Sequence, residues 1–241
     1  PLIGGQFRLA GQQPRRAQIL DLLDWYERQF ARLGVTLHLN SYLEAEEIRA
    51  IGPDRVVLAT GSLPDEDATQ RWLPDLGPLP GRERGHVFAP EEVMRREARL
   101  GSRVLVLDEG GNMRGLGTAW HLAEEGHEVT LITPGPMVGA ELARTSADIP
   151  IRARLAWLGV TMLTEHGLTR WHDQGARLKN LLTGVEFDHP ADDLVMATTN
   201  RAFDPISAEI ADLPPVILGD AQAPRQAPYA FYEGRACGLA L

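Results

Sequence analysis

The sequence predicts an α/β protein built from two similar modules, the first of which lacks its N-terminal βα unit. Three observations support this prediction: an internal repeat, strands that alternate with helices, and a glycine-rich turn between a strand and a helix. The repeated segments keep their order along the chain and are 1–6 and 136–141, 33–37 and 158–162, and 54–60 and 192–198. The second copy follows a strand, the glycine-rich turn and a helix, and the first copy has no such counterpart. We therefore expect the chain to be a piece of a longer protein.

The first module begins with a predicted amphipathic helix over residues 15–33. Its apolar residues recur at helical spacing, and Gly34 is a C-terminal stop signal. Apolar or β-branched runs at 35–39 and 55–60 predict short strands, with a short helix between them at 43–50. These elements are the remainder of a βαβ unit.

A connector separates the modules, because residues 74–85 hold three prolines and three glycines among mixed charges. We expect one domain from residues 1–73 and 205–241, interrupted by a second domain over 86–204. The elements predicted after the connector are a helix near 91–96, strands at 104–107 and 128–132, a helix at 151–158, and a closing strand, loop and helix within 216–241.

Composition excludes several classes of function. A net charge of -9 with scattered basic residues gives no nucleic-acid footprint, and no apolar run approaches the roughly 20 residues that span a membrane. The single cysteine, Cys237, excludes an internal disulfide, cannot hold an iron–sulfur cluster alone and is typical of the cytoplasm. The histidines lack metal-ligand spacing and no serine lies in a nucleophile elbow. We predict no catalytic residue and no metal ligand, and expect acidic pairs such as 91–92 and 192–193 to be solvated.

The glycine-rich turn is the most informative candidate site. It follows the strand at 104–107, and the candidate phosphate-binding residues are Gly110, Gly111 and Gly115. Asn112 replaces the middle glycine of the dinucleotide motif, and Asp108 and Glu109 add negative charge beside the phosphate position. No carboxylate follows the strand at 128–132 to bind a ribose. The two interpretations are a functional nicotinamide site and a fold that persists without the cofactor. We expect weak or no binding of NADH or NADPH.

A second candidate site lies in the first module. The strand at 55–60 ends in small residues at Thr60 and Gly61, which leave room for a ligand at the carboxyl edge of a parallel sheet. Gly4, Gly5, Gly219 and Asp220 carry a similar signal. In each place the alternative is a simple turn.

Taken in order, four motifs resemble the C-terminal half of the NADH:flavin oxidoreductases related to trimethylamine dehydrogenase and 2,4-dienoyl-CoA reductase. The motifs are residues 3–6, 56–61, 123–133, and 218–220 with 223–225. The resemblance implies two Rossmann-like modules of the glutathione reductase type. It also implies an FAD or ADP site bordered by Gly4, Gly5, Gln6, Thr60, Gly61, Gly219 and Asp220. In this family an N-terminal TIM barrel, absent from the sequence, carries FMN, a 4Fe-4S cluster and the substrate chemistry.

The residues at 108–109 resemble those of the trimethylamine dehydrogenase and N-methylproline demethylase branch, in which electrons leave for a separate carrier flavoprotein. The resemblance therefore favours a whole protein that oxidatively demethylates a small N-methylated amine or amino acid. The alternatives are an NAD(P)H-dependent dienoyl-CoA or enoate reductase, and a structural or docking module that binds no nucleotide. We expect the chain alone to show no turnover, to hold no stoichiometric flavin and to self-associate, with the TIM barrel as its partner in the whole protein.

Overall fold

The structure is a computed structural model that describes residues 2–241; Pro1, where the first repeat begins, lies outside the described residues. Contacts divide the chain into two units. The first unit contains residues 2–3, Tyr26–Pro64 and Asn200–Leu241, and the second contains Gly4–Trp25 and Asp65–Thr199.

The described elements alternate between helices and strands. The helices are α1 (Gly5–Ala10), α2 (Asp21–Leu33), α3 (Ala45–Ile51), α4 (Pro90–Met94), α5 (Met113–Glu124), α6 (Asp148–Trp157) and α7 (Ala227–Ala240). The strands are β1 (Val57–Leu58), β2 (Ser62–Leu63), β3 (Val87–Phe88), β4 (Arg103–Asp108), β5 (Glu128–Ile132), β6 (Thr161–Leu163), β7 (His166–His172), β8 (Gly175–Asn180), β9 (Glu186–Pro190), β10 (Asp193–Ala197), β11 (Arg201–Ala202) and β12 (Val216–Ile217). Short 3-10 helices cover Ala17–Leu20, Pro74–Leu76, Arg82–Arg84, Ala140–Thr145 and Gly219–Ala221.

The second unit contains a five-stranded parallel sheet in the order β3-β10-β4-β5-β6. Its central strand β4 is buried from Val104 to Asp108, as expected for a strand covered on both faces. Helix α5 packs on it through Leu116, Ala119 and Leu122, each fully buried. The predicted α/β class with a parallel sheet is confirmed. The antiparallel sheet β7-β8-β9 was not predicted, because its strands alternate too weakly between apolar and polar residues.

The first unit has less regular structure. Strands β1 and β12 form a two-residue parallel pair, and β2 and β11 form an antiparallel pair. Its core is a small cluster of buried side chains, which are Ala45, Ile48, Leu58, Ile206 and Ile210. Helix α7 buries no residue. Hydrophobic burial therefore stabilises this unit less than the second one.

The strand predicted at 35–39 is wrong. This segment has no regular structure, and Val35, Leu37 and Leu39 are 44 to 48% exposed. Its repeat counterpart forms β6, which pairs with β5. An extended segment becomes a strand only when a neighbour completes its hydrogen bonds, and no described residue in the first unit does so.

The repeated segments share backbone geometry where they can be compared. Gly34 follows α2 with a φ of 70°, and Gly159 follows α6 with a φ of 81°, so both helices end in a left-handed glycine. The predicted boundaries, 1–73 with 205–241 and 86–204, stay a prediction. The contact units differ from them at residues 4–25, 65–73 and 200–204. Leu9 packs against the core of the second unit, and Gln70 hydrogen bonds to Leu168.

Two features are absent from residues 2–241. No helix in this range combines the length and the apolar character needed to cross a bilayer. The same range contains no cluster of three or more histidine, cysteine or acidic side chains arranged to hold a metal ion.

We predict that the chain self-associates through the exposed segment at 35–39. Extended apolar backbone without a sheet neighbour pairs readily with another chain, and a charge placed there opposes pairing. The double substitution Leu37→Lys with Leu39→Lys should shift the protein toward monomer in sedimentation velocity at micromolar concentration. The control is Leu182→Lys, at a leucine that is 75% exposed in the second unit. This substitution should not shift the protein toward monomer. A wild-type chain that stays monomeric would contradict the prediction.

Candidate functional site

The turn after β4 connects the central strand of the parallel sheet to α5. Asn112 caps the helix, because its side-chain Oδ1 accepts a hydrogen bond from the Arg114 amide at 2.8 Å. The residue that replaces the middle glycine of the motif thus stabilises the start of α5. The strand, turn and helix keep the arrangement of a dinucleotide-binding turn.

The Asp108 side chain lies inside this turn. Its Oδ1 accepts hydrogen bonds from the amides of Gly110 and Gly111, both at 3.1 Å. The residue is fully buried, and its Oδ2 contacts no hydrogen-bond donor among residues 2–241. Backbone amides in such turns bind the pyrophosphate of a dinucleotide. Here the Asp108 carboxylate, from the same chain, accepts hydrogen bonds from two of these backbone amides.

Opposing effects act on the pKa of the Asp108 carboxyl. Burial raises the pKa of this carboxyl to about 7, while the amides of Gly111 and Gly110 and the charges of Arg114 and Arg71 lower it. Burial is the largest of these effects because the carboxyl is removed from water on all sides. Near neutral pH Asp108 therefore exchanges between its ionised and its neutral form.

Gly115 leaves room for this carboxylate. A Cβ atom at position 115 would lie 2.5 Å from Asp108 Oδ1 and 2.6 Å from Asp108 Cγ, closer than real Cβ contacts. In dinucleotide-binding proteins the last glycine of the motif permits close packing of helix and strand. In this chain the space that Gly115 leaves is filled by the Asp108 side chain.

Glu109 points away from the turn amides. Its carboxylate accepts hydrogen bonds from the backbone amides of Arg71 and Trp72, and the Arg71 guanidinium donates to the Glu109 carbonyl. Burial raises the pKa of Glu109, and these amides and the Arg71 charge oppose that effect. A cleft of about 280 Å³ opens beside it, lined by Thr69, Gln70, Arg71, Pro74, Glu109 and Thr199.

A partly buried ion pair holds the start of α5. The Arg114 guanidinium binds both carboxylate oxygens of Glu91, at 2.8 and 2.9 Å, and donates to the Thr198 carbonyl at the end of β10. The Glu91 side chain is only 7% exposed. The expectation that the 91–92 pair is solvated is therefore wrong for Glu91. The same applies to Asp193, which is 1% exposed and accepts a hydrogen bond from the Gly101 amide.

In the first unit, the ends of β1 and β12 bring four of the predicted residues together. Thr60 donates to the Phe203 carbonyl, and Gly61 has a φ of 82° with open space where a Cβ would point. The Ser62 hydroxyl donates to Asp220 Oδ2 at 3.0 Å, and Gly219 precedes Asp220 in the adjoining 3-10 helix. The open space beside Gly61 is compatible with a ligand at this edge.

Gly4, Gly5 and Gln6 lie at the start of α1, in the second unit. A Cβ at Gly4 would lie 2.5 Å from Leu23 Cδ1, so this glycine permits close packing within that unit. The assignment of all seven residues to one flavin or ADP site stays a prediction.

Sequence patterns could not reveal the Arg114–Glu91 pair or the hydrogen bonds of Asp108. Both depend on contacts between residues distant in sequence or on the path of the turn. The available signal was the position of an acidic residue directly after a buried strand, at the start of a glycine-rich turn.

We predict that Arg114→Met lowers the free energy of unfolding by about 3 kcal/mol, because it removes the cation that binds both oxygens of the buried Glu91 carboxylate. Urea unfolding followed by circular dichroism measures this. Arg84→Met is the matched control, since Arg84 pairs with Asp173 at the surface, where the two side chains are 51% and 78% exposed. The control should change stability by less than about 0.5 kcal/mol. Equal effects of the two substitutions would refute the prediction.

We predict that Asp108→Asn removes a pH dependence of stability between about pH 4 and pH 7. The folded state raises the pKa of Asp108 to about 7, so it binds more protons than the unfolded chain in this window. Stability therefore falls as pH rises through the window. At pH 8 the asparagine variant should be more stable than wild type by up to about 4 kcal/mol, and near pH 4 the difference should vanish.

Urea midpoints at pH 4, 6 and 8 test this prediction, with Asp192→Asn as the contrasting variant. Hydrogen bonds from Arg103 lower the pKa of Asp192, so its ionised form stabilises the fold and its loss should destabilise the chain at neutral pH. The expectation fails if Asp108→Asn is less stable than wild type at pH 8.

No family model matches the chain. Over 73% of this chain, it is 33% identical to a probable N-methylproline demethylase of Rhizobium meliloti. Over 80% of this chain, it is 31% identical to an N,N-dimethylglycine/sarcosine dehydrogenase of Chromohalobacter salexigens. A cinnamate reductase of Clostridium sporogenes is 28% identical over 88%. The chain spans 24%, 28% and 30% of these relatives, about a quarter of their length.

A solved structure agrees with these relatives. Histamine dehydrogenase from Rhizobium sp. 4-9 superposes with a TM-score of 0.92 at 25% identity, over 99% of this chain and 38% of that one. The resemblance drawn from the sequence motifs is confirmed. Over the length that it matches, the chain belongs to the flavin oxidoreductases of the trimethylamine dehydrogenase type.

Proposed function

We propose that the chain is the nucleotide-binding region of a flavin-dependent oxidoreductase that oxidatively demethylates a small N-methylated amine or amino acid. Two of the relatives support the substrate class, since their names specify N-methylproline, and dimethylglycine or sarcosine. The whole protein also carries the N-terminal TIM barrel with FMN and a 4Fe-4S cluster, in which the substrate is oxidised.

One observation in the chain favours demethylation over nicotinamide-dependent reduction. The Asp108 carboxylate holds the amides of Gly110 and Gly111, which a nicotinamide nucleotide would need for its pyrophosphate. The residues of this turn do not fit that cofactor. Oxidation of an amine needs no nicotinamide hydride donor. The electrons leave instead for an electron-carrier flavoprotein.

The proposal includes two Rossmann-like modules of the glutathione reductase type. The first module takes FAD or ADP at a site bordered by Gly4, Gly5, Gln6, Thr60, Gly61, Gly219 and Asp220. The open space beside Gly61 and the position of Gly61 after β1 support a ligand at this edge. The second module has the same plan and binds no nucleotide at Gly110, Gly111 and Gly115.

A second candidate is an NAD(P)H-dependent enoate or dienoyl-CoA reductase, favoured by the similarity to cinnamate reductase. The two candidates differ in the direction of electron flow and in the need for a nicotinamide nucleotide. A docking module that binds no nucleotide is the candidate from another class.

Assays of the whole protein distinguish these candidates. With N-methylproline, sarcosine or dimethylglycine and an artificial electron acceptor, we expect acceptor reduction with stoichiometric release of formaldehyde. NADH with cinnamate should give no turnover. The reverse pattern would refute demethylation in favour of the reductase, and a whole protein without flavin or nucleotide would favour the docking module.

We predict that Asp220→Ala lowers the FAD or ADP content of the whole protein at least fivefold. Asp220 accepts hydrogen bonds from Ser62 and from the Arg225 amide, and so fixes the loop beside Gly61. Mass spectrometry of the nucleotides released on denaturation measures the content. Asp188→Ala, at a side chain 64% exposed in the second unit, is the control and should retain full content. Full nucleotide content in Asp220→Ala would remove Asp220 from the proposed site.

A further inference from the structure

Asp108 lies where the structure of a dinucleotide-binding turn places a phosphate. Its Oδ1 accepts from Gly110 and Gly111, directly before the N-terminus of the twelve-residue helix α5. We propose that Asp108 is a built-in substitute for the diphosphate of a dinucleotide, and that this single side chain determines that the turn takes no diphosphate ligand. The inference rests on the proposed function, in which the whole protein needs no nicotinamide nucleotide at this turn.

Apart from Asn112, which replaces the middle glycine of the motif, the remainder of the turn keeps the features that bind a diphosphate. Gly111 has a φ of 58°, Gly115 leaves space between helix and strand, and the amides of Gly110 and Gly111 converge on one point. Asn112 satisfies the Arg114 amide and leaves those two amides free for another acceptor. The backbone is therefore shaped for an anion, and the anion present is Asp108.

The environment of Asp108 resembles that of a bound ligand rather than that of a surface acid. The side chain is fully buried, and its Oδ2 has no hydrogen-bond donor within the described part of the chain. A diphosphate could bind only if the Asp108 side chain moved out of the turn. This movement would break its two hydrogen bonds and require another position for the carboxylate. Two anions cannot share this volume without a large repulsion in a site with little water.

Two other features of the turn could exclude a dinucleotide, and the structure separates them from Asp108. The Glu109 carboxylate accepts hydrogen bonds from the backbone amides of Arg71 and Trp72. It therefore does not compete for the amides of Gly110 and Gly111. The missing ribose carboxylate after β5 concerns only ligands that contain a ribose. Inorganic pyrophosphate contains none, so it probes the turn alone.

The test is a calorimetric titration of the 241-residue chain with inorganic pyrophosphate at pH 8. We expect Asp108→Ala to bind at least tenfold more tightly than wild type, because it frees the two amides and the volume between them. Asp108→Asn keeps the volume and an acceptor oxygen without the charge, and should stay within twofold of wild type. Glu109→Ala is the matched control at the neighbouring acid, and should also stay within twofold.

A folded Asp108→Ala variant with no gain in affinity for pyrophosphate would overturn the proposal. An equal gain in affinity in Asp108→Asn would also overturn it, because the effect would then come from charge alone. If Asp108→Ala does not fold, Asp108→Ser provides the same test with a shorter side chain. Hydrogen exchange on wild type needs no variant: unprotected amides at Gly110 and Gly111 would also overturn it. Amine oxidation does not enter these measurements, so the two proposals can fail separately.

Discussion

The hydrogen bonds from Gly110 and Gly111 to Asp108 are the interaction on which the turn after β4 depends. They join the end of β4, the buried central strand, to the start of the helix packed on it. A helix N-terminus and a turn of this kind present amides that need an acceptor. In most proteins with this motif a nucleotide provides it, and here the chain provides its own.

Several other contacts follow from this arrangement. Gly115 gives the carboxylate its space, and the Arg114–Glu91 pair ties α5 to α4 and to the end of β10. These contacts between the chain's own residues fix the path of the turn. The function that we propose, oxidation of an amine with transfer of the electrons to a protein acceptor, needs no nicotinamide nucleotide at this turn.

The sequence predicted the regular part of the second unit well, because buried parallel strands are continuous apolar runs and α5 follows a glycine-rich turn. The strand at 128–132 agrees with β5 residue for residue. The strand predicted at 35–39 was wrong because a strand needs a neighbouring strand to complete its hydrogen bonds. The sequence of one segment does not show whether that neighbour is present. The candidate turn was predicted from its glycines, and the expectation that its acidic residues oppose a phosphate stays a prediction. That Asp108 turns inward while Glu109 turns toward Arg71 depends on backbone direction, which residue types do not encode.

The pKa of Asp108 is the most direct measure of this arrangement, because it reports burial and the two amide hydrogen bonds together. A carbon-13 NMR titration of the Asp108 carboxyl, assigned by comparison with Asp108→Asn, measures it in the intact chain. We expect a midpoint near pH 7, with the amide proton shifts of Gly110 and Gly111 following the same curve. A midpoint near 3.9, the value of a solvated aspartate, with pH-independent amide shifts, would contradict it.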